Sequence, residues 1–481
     1  MNALAMTASA RGPDPQTPQA LTGGRRAGAI FAVLSAMTLV VLDAGIANVA
    51  LPTLGPALGV SPAAAVLVVT AYQAGLLMAL LPAGAMGGRF GHARVFALGI
   101  VLFGAASAAC ALAPSLAWLV AARFLQGLGG AAIMALGVAL LRLIVPAERL
   151  GAAIGWNALT VALASAAAPS LGSAILSIAP WPALFAVNLP LAAAALIAAR
   201  RLPASPGGGR APDLASVLLN ALAFGLVILA AETAPGAWRL AGLLGAAGLL
   251  ALVLLVRREA CKADPLIPLD LLAAPAFRLS VAASVCCFSA QSAGLLALPF
   301  LLQRELGQTP LAAGLHITIW PLSVALAAVA SGRLADRLPT AWLCAVGGGV
   351  LALGLAGLSL CPARGGTFEL APYLMLAGLG FGLFQSPNNR NLFLSAPRAR
   401  SGAAGGMQGT ARVSGQTLGA LLASLLFATI GIEAAPRTAL ALGAALALAA
   451  ALASLARRGR QGQVRNAPRM VAPPLEGRAP L

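Results

Sequence analysis

Apolar stretches long enough to cross a lipid bilayer recur along nearly the whole chain, and no other feature narrows the fold as sharply. They lie near 28–51, 62–83, 95–113, 116–139, 151–178, 183–199, 214–231, 238–256, 278–300, 311–331, 341–361, 371–394, 403–428 and 437–456. A hydrocarbon core of about 30 Å needs roughly 20 apolar residues per helix, and lipid offers no partner for an unpaired backbone group. The expected fold class is an all-α membrane protein with 14 transmembrane helices. Composition agrees: 60% of residues are apolar, 9% are charged and the mean hydropathy is +0.90 over 481 residues, values foreign to a soluble domain.

A ten-residue phrase occurs twice. Pro146-Ala147-Glu148-Arg149-Leu150-Gly151-Ala152-Ala153-Ile154-Gly155 returns as Pro397-Arg398-Ala399-Arg400-Ser401-Gly402-Ala403-Ala404-Gly405-Gly406, sharing P-x-x-R-x-G-A-A-x-G. Gly84, Arg89 and Phe90 return at nearly the same offset as Gly332, Arg337 and Leu338. Two matches at one offset divide the chain into related halves. The offset pairs spans 1–6 with spans 9–14 and leaves two helices over in the middle. The expected layout is a tail over 1–26, a six-helix bundle over 27–200, a linker over 201–213 and two inserted helices over 214–256. A second linker over 257–277, a six-helix bundle over 278–456 and a tail over 457–481 complete it. Parallel halves in a membrane protein place a binding site between them, near the midplane.

The charges orient this arrangement. With the N-terminus inside, 25 of the 31 Lys and Arg residues fall in cytoplasmic loops and tails, and only Arg239, Arg304, Arg364 and Arg437 fall outside. This is the positive-inside bias, so both termini are expected in the cytoplasm. The net charge of +18 is therefore topological, and a nucleic-acid partner, which needs a basic face on a folded soluble domain, is excluded. The first 26 residues read as a disordered tail and not a cleaved signal. The six cysteines lie almost entirely in spans without a C-x-x-C pair, as small apolar residues do. No metal-ligand cluster, nucleophile–base pair or phosphate-binding loop appears, so neither a metal site nor an enzyme is expected.

Polar residues inside the spans are the candidates for function, because an intramembrane charge is costly. Asp43 is read as the one carboxylate deep within a span. It lies about 24 Å along the first helix at 1.5 Å per residue, and Arg123 reaches a matching depth on the fourth. The two can pair, either as a proton-sensitive switch in which protonating Asp43 releases Arg123, or as a static tie between helices; Asp43 exposed to external water is the third reading. Arg412 either lines a cavity and meets anionic groups or extends to the cytoplasmic interface. Asn48, Gln73, Gln126, Asn157, Gln291, Gln385 and Asn388 are, with Arg412, the candidates for a substrate cavity; such amides also hydrogen-bond between helices. Gln416 and His316 are further polar positions in spans.

The chain resembles the 14-helix drug:proton antiporters of the major facilitator superfamily, the EmrB/QacA type, over residues 28–456. Leu42-Asp43 through Leu51-Pro52 is similar to that family's first-helix motif. Leu119 to Ala131, containing Ala122-Arg123-Phe124-Leu125-Gln126-Gly127, resembles its fourth-helix motif, whose arginine the family associates with proton coupling. Trp181, Phe185, Asn188 and Pro190 resemble its sixth-helix entry, and Gly378 to Asn389 is also similar. The loop motif between helices 2 and 3 departs from the family: Gly84, Arg89 and Gly91 are kept, but Gly88 stands where an aspartate is usual. The second copy keeps the acid, as Asp336 between Gly332 and Arg337. The helix-5 motif keeps Pro169 and Gly172 but has Ala164, Ala168 and Ser173 in place of glycines. The resemblance implies that these loop and helix-5 residues gate the conformational change.

What it further implies is export of small hydrophobic or amphipathic compounds by alternating access. The proton gradient is the energy source and no cofactor is needed. The expected location is a bacterial inner membrane, and the expected partners are a small-molecule substrate and the lipid bilayer. A periplasmic adaptor is neither required nor excluded. Two other readings are a uniporter or importer of a metabolite, which the thinned helix-5 glycines would suit, and a non-transporting membrane sensor.

Overall fold

The structure, a computed structural model, describes residues 23–204, 207–208, 213–260, 262, 269–335, 337–362, 369–396 and 401–466. Its order is α1 (Gly23–Leu58), α2 (Pro62–Phe90), α3 (His92–Ala111), α4 (Leu116–Ile144), α5 (Ala147–Ile178), the short α6 (Ala183–Ala186) and α7 (Asn188–Ala199). Then come α8 (Leu214–Thr233), α9 (Trp238–Ala260), the short α10 (Leu269–Ala273) and α11 (Pro275–Phe300), which continues as a wider π-helical turn over Leu301–Glu305. The chain ends in α12 (Pro310–Leu334), α13 (Thr340–Leu360), α14 (Ala371–Leu394), α15 (Ser401–Thr429) and α16 (Gly431–Asn466). No strand occurs among the described residues.

Local chemistry sets the helix boundaries. The Ser61 hydroxyl accepts from the Ala64 N–H at the start of α2, and Pro62 follows at the first helical position, where its missing N–H costs nothing. Ser115 and Thr309 cap α4 and α12 in the same way. Gly91, at φ 96°, alone separates α2 from α3, a conformation without penalty only for glycine.

Twelve helices among the described residues are long and apolar enough to cross a membrane. The apolar pair α6–α7, at 183–199, is shorter, and α14 carries Gln385, Asn388, Asn389, Arg390 and Asn391 in its second half. Both lie where the sequence places spans.

The packing repeats between halves. In the first, α1 packs on α5 and α7, α4 on α2 and α3, and α3 on α7; in the second, α11 packs on α15 and α16, α14 on α12 and α13, and α13 on α16. Each pairing is the image of its counterpart under the offset read from the sequence. Across the halves α2 meets α15 and α5 meets α12, again images of each other, and α1 meets α11. Each half has its own apolar core, the first around Phe96, Phe103 and Leu136 and the second around Leu351, Phe381 and Phe384. A third cluster joins Leu51 and Leu54 of α1 to Leu296 and Phe300 of α11 and Phe427 of α15, at the end of the molecule that carries the α1–α2 turn. There Gln303 and Arg304 also donate to the Val49 and Pro52 carbonyls. Helix α8 leans on α2 and α15, and α9 packs along α8.

Several boundaries differ from the sequence reading. Helix α1 begins at Gly23 and α16 runs to Asn466, so parts of both expected tails are helical; 1–22 and 467–481 lie outside the described residues, as do 205, 206 and 209–212 of the first linker. Helix α16 continues because its inward stripe does: Ala447, Ala450, Ser454 and Arg457 are all buried, at the i, i+3, i+7, i+10 spacing of one helical face. Helix α8 reaches Thr233, which brings Glu232 within it, and Glu259 is buried near the end of α9. Asp43 is thus not the only carboxylate that the helices bury.

Candidate functional site

Asp43 and Arg123 meet inside the first half. Arg123 Nη1 stands 2.5 Å from Asp43 Oδ2, and both side chains are 1% exposed. The other carboxylate oxygen accepts from Gln126 Nε2 at 2.9 Å and from Asn188 Nδ2 at 2.7 Å. Arg123 also donates to Gln126 Oε1 at 2.6 Å and to the Val68 carbonyl at 3.1 Å, and its guanidinium lies 4.3 Å from the centre of the Tyr72 ring. Gln126 is held in turn by the Ser107 hydroxyl. A buried ion pair is tolerable only when geometry and further hydrogen bonds offset its desolvation, and groups from five helices, α1 to α4 and α7, supply them here.

Glycines in the fourth-helix motif make that geometry possible. A side chain at Gly127 would strike the Tyr72 carbonyl, and one at Gly75 would strike the Phe124 carbonyl. Without them α2 and α4 touch backbone to backbone, and Arg123 reaches Val68.

A cavity of about 420 Å³ lies between the halves, within the range of small-molecule sites. Asn48, Gln73, Gln291, Gln385, Arg412 and Gln416 line it, together with Arg123, Tyr72, Phe288, Trp320 and Phe381. It extends past Ala158 of α5, Ala328 of α12 and Asn389 of α14 toward the end that carries Gly91. Arg412 Nη2 rests 3.5 Å from the Met134 sulfur, its Nε has no partner, and no carboxylate among the described residues pairs with it.

Three cavity candidates stand elsewhere. Gln126 belongs to the Asp43 network. Asn157 is buried in α5 outside the lining. Asn388 turns away from the cavity because Ser280 and Ser284 of α11 accept its amide N–H groups while its oxygen accepts from Arg457 at 2.7 Å. Arg457, expected in a solvated tail, is 1% exposed and also donates to Ser280. His316 bonds the Ala312 carbonyl one turn away in its own helix.

The residues expected to gate fall into two groups. Pro169 and Gly172 lie on the α5 seam: Gly172 faces Ile46 of α1, and Gly314 of α12 sits against Ser173 and the Pro169 carbonyl. Ser170 and Thr318 bond across that seam at 2.6 Å. Gly84 and Gly332 have open space beside them, and Arg89 and Arg337 are exposed; Asp336 lies outside the described residues.

The Asp43 and Arg123 pair was legible as two intramembrane charges at one depth. Tyr72, Ser107 and Trp320 carried no comparable signal, being ordinary apolar or small residues of a span. Asn188 appeared only within the sixth-helix entry motif.

A family model described as Major Facilitator Superfamily matches residues 33–419 and, overlapping, 279–478. The chain belongs to the major facilitator superfamily. Its members are transporters, and this chain is a secondary transporter and not an enzyme. An uncharacterized transporter of Escherichia coli (strain K12), YebQ, is 44% identical over 85% of this chain and 90% of its own length. The tetracenomycin C resistance and export protein of Streptomyces glaucescens is 30% identical over 86% and 78%. The multidrug resistance protein Stp of Mycobacterium tuberculosis (strain CDC 1551 / Oshkosh) is 32% identical over 83% and 75%. Among solved structures, the superfamily fold is shared with a peptide transporter POT in complex with alafosfalin, at a TM-score of 0.71 and 16% identity over 93% of this chain and 97% of that one.

Proposed function

We propose that the protein exports small amphipathic compounds in exchange for protons, across a bacterial inner membrane that it crosses 14 times with both termini in the cytoplasm. The spans are α1–α5, α6 with α7, α8, α9 and α11–α16, forming two six-helix bundles with α8 and α9 inserted between them. The observation that carries this reading is the Asp43–Arg123 pair, buried in a five-helix network and bordering the cavity through Arg123. Relatives named for resistance and export support it.

In this reading the Gly91 end is cytoplasmic, and the seams α1–α11 and α5–α12 close the external side. With Asp43 ionised, Arg123 is held and the cavity is reached from the cytoplasm. After the halves rock about the seams, a proton from outside neutralises Asp43, Arg123 loses its counter-charge, and substrate leaves. Proton release to the cytoplasm rebuilds the pair. Arg412 supplies a cation with no carboxylate partner among the described residues, so substrates with an anionic or strongly accepting group gain most from the site, and dications gain least.

Everted membrane vesicles holding an imposed pH gradient test the reading. A compound from a panel of hydrophobic molecules should collapse the gradient with the parent protein and not with Asp43→Asn. Substrate movement that is independent of the gradient in both would leave uniport as the mechanism.

A further inference from the structure

The inserted helices carry a half-buried acid to the seam between the halves. Glu232 is the penultimate residue of α8, the helix that leans on α2 of the first half and α15 of the second. Its Oε2 accepts from the Ser424 hydroxyl of α15 at 2.9 Å. Its Oε1 is buried without a partner. Thr70 of α2, itself 1% exposed, stands beside the carboxyl group. Around them Ala74, Phe124, Ile228, Ala231 and Leu421 form an apolar cluster drawn from α2, α4, α8 and α15.

Among the described residues, no cation answers this acid. On α2 the facing polar group is Thr70, and on α15 it is Ser424; neither is charged. Arg412 of α15 lies 12 residues back, about 18 Å along the helix. Arg123 of α4 is turned to Asp43. Arg239 of α9 is stacked on the Trp238 ring, and the phenol of Tyr72 lies under Arg123. An ionised Glu232 is therefore held by neutral hydroxyls alone, Ser424 and Thr70, with no counter-charge for a carboxylate inside a span, which is costly. A protonated Glu232 turns Oε1 into a donor that the Thr70 hydroxyl can accept, and one carboxyl group then ties α2 to α15.

We propose that Glu232 is a second proton-binding site of this transporter, and that its protonation holds the α2–α15 seam closed while its ionisation loosens it. The site is joined to the first one mechanically. Residues 68–74 of α2 run between the two, with Val68 accepting from Arg123 and Thr70 beside Glu232. Phe124, next to Arg123 in sequence, packs into the Glu232 surroundings. Because Gly75 and Gly127 lock α2 to α4 backbone to backbone, a shift at one site displaces the other. The extra helix pair is then a lever on the rocking motion and more than a peripheral addition. The consequence for transport rests on the export reading; the proton site does not.

The test uses purified full-length protein in lipid nanodiscs without substrate, so that it is separate from any failure of the export reading. Spin labels at exposed Ala57 and Thr429, one on each half at the α1–α2 end, report the distance between halves as pH is varied. The parent should shift to a longer distance as pH rises. Glu232→Gln, neutral at every pH and still able to donate to Thr70, should lose that shift and keep the short distance throughout, whereas Asp43→Asn should retain it. If Glu232→Gln is not recovered folded, Ser424→Ala, which deletes only the α15 hydroxyl, should move the midpoint of the shift. A parent distance unaffected by pH, a shift that Glu232→Gln retains, or a midpoint that Ser424→Ala leaves in place overturns the proposal.

Discussion

Replacing Asp43 by asparagine removes a charge while keeping the shape of the side chain, and the structure specifies what that should cost. The remaining amide oxygen can still accept from Gln126 and Asn188. The loss therefore concentrates on Arg123, which would remain 1% exposed with no anion opposite it. Breaking a buried pair from one side costs about 3–5 kcal/mol. Arg123 keeps the Val68 carbonyl, the Gln126 oxygen and the face of Tyr72, so the expected loss is at the lower end, about 3 kcal/mol, or roughly two decades in an equilibrium constant. Adding Arg123→Gln removes the orphaned cation and should recover most of that stability. Denaturation of the parent, both single variants and the double variant in one detergent completes the cycle, and pH-driven uptake into proteoliposomes is measured beside it. The double variant should be more stable than Asp43→Asn and still lack proton coupling. A double variant no more stable than Asp43→Asn would refute the desolvation argument. Proton-coupled uptake retained by Asp43→Asn would refute the role of the pair.

Asn388→Leu should lower stability by about 2 kcal/mol, since it strips a hydrogen-bond acceptor from the charged Arg457, yet leave the substrate KM unchanged; Gln385→Leu, in the cavity lining, should do the reverse. Both are read by unfolding and by transport kinetics. Gly314→Ala places a methyl group against Ser173 and the Pro169 carbonyl, so it should open the α5–α12 seam and raise labelling of Thr318→Cys by a membrane-impermeant maleimide from outside. Hydrogen bonds from Arg258 and then Lys262 hold the Asp213 carboxyl well below the usual carboxylate range, and this cluster ties the start of α8 to the end of α9. A depressed carboxylate stabilises above its unfolded pKa and loses that contribution as pH falls through the folded value. Asp213→Asn should therefore destabilise the protein at neutral pH, and the difference should persist on acidification past about pH 4 before closing, as followed by thermal unfolding across pH.

The sequence alone determined the class of solvent, the succession of long apolar segments, the repeat and two of the charges that meet inside the helices. These are properties of local composition: a bilayer demands apolar length, a repeat is a comparison of text with text, and a charge in an apolar run is conspicuous wherever its partner lies. Asp43 and Arg123 could be matched because helical rise converts residue number into depth. The direction a polar side chain takes around its helix was beyond that arithmetic. Gln126, Asn157 and Asn388 look no different in sequence from Gln73 and Gln385, yet the first three face other helices and the last two face the cavity. Arg457 reads as one of a run of tail arginines, and becomes a buried core residue only because Ser280 and Asn388, 177 and 69 positions away, accept from it. Glu232 sits at a helix end, where a carboxylate is normally solvated. It is half-buried because two helices from opposite halves close over it, and contacts of that kind between distant segments are formed only by the tertiary fold.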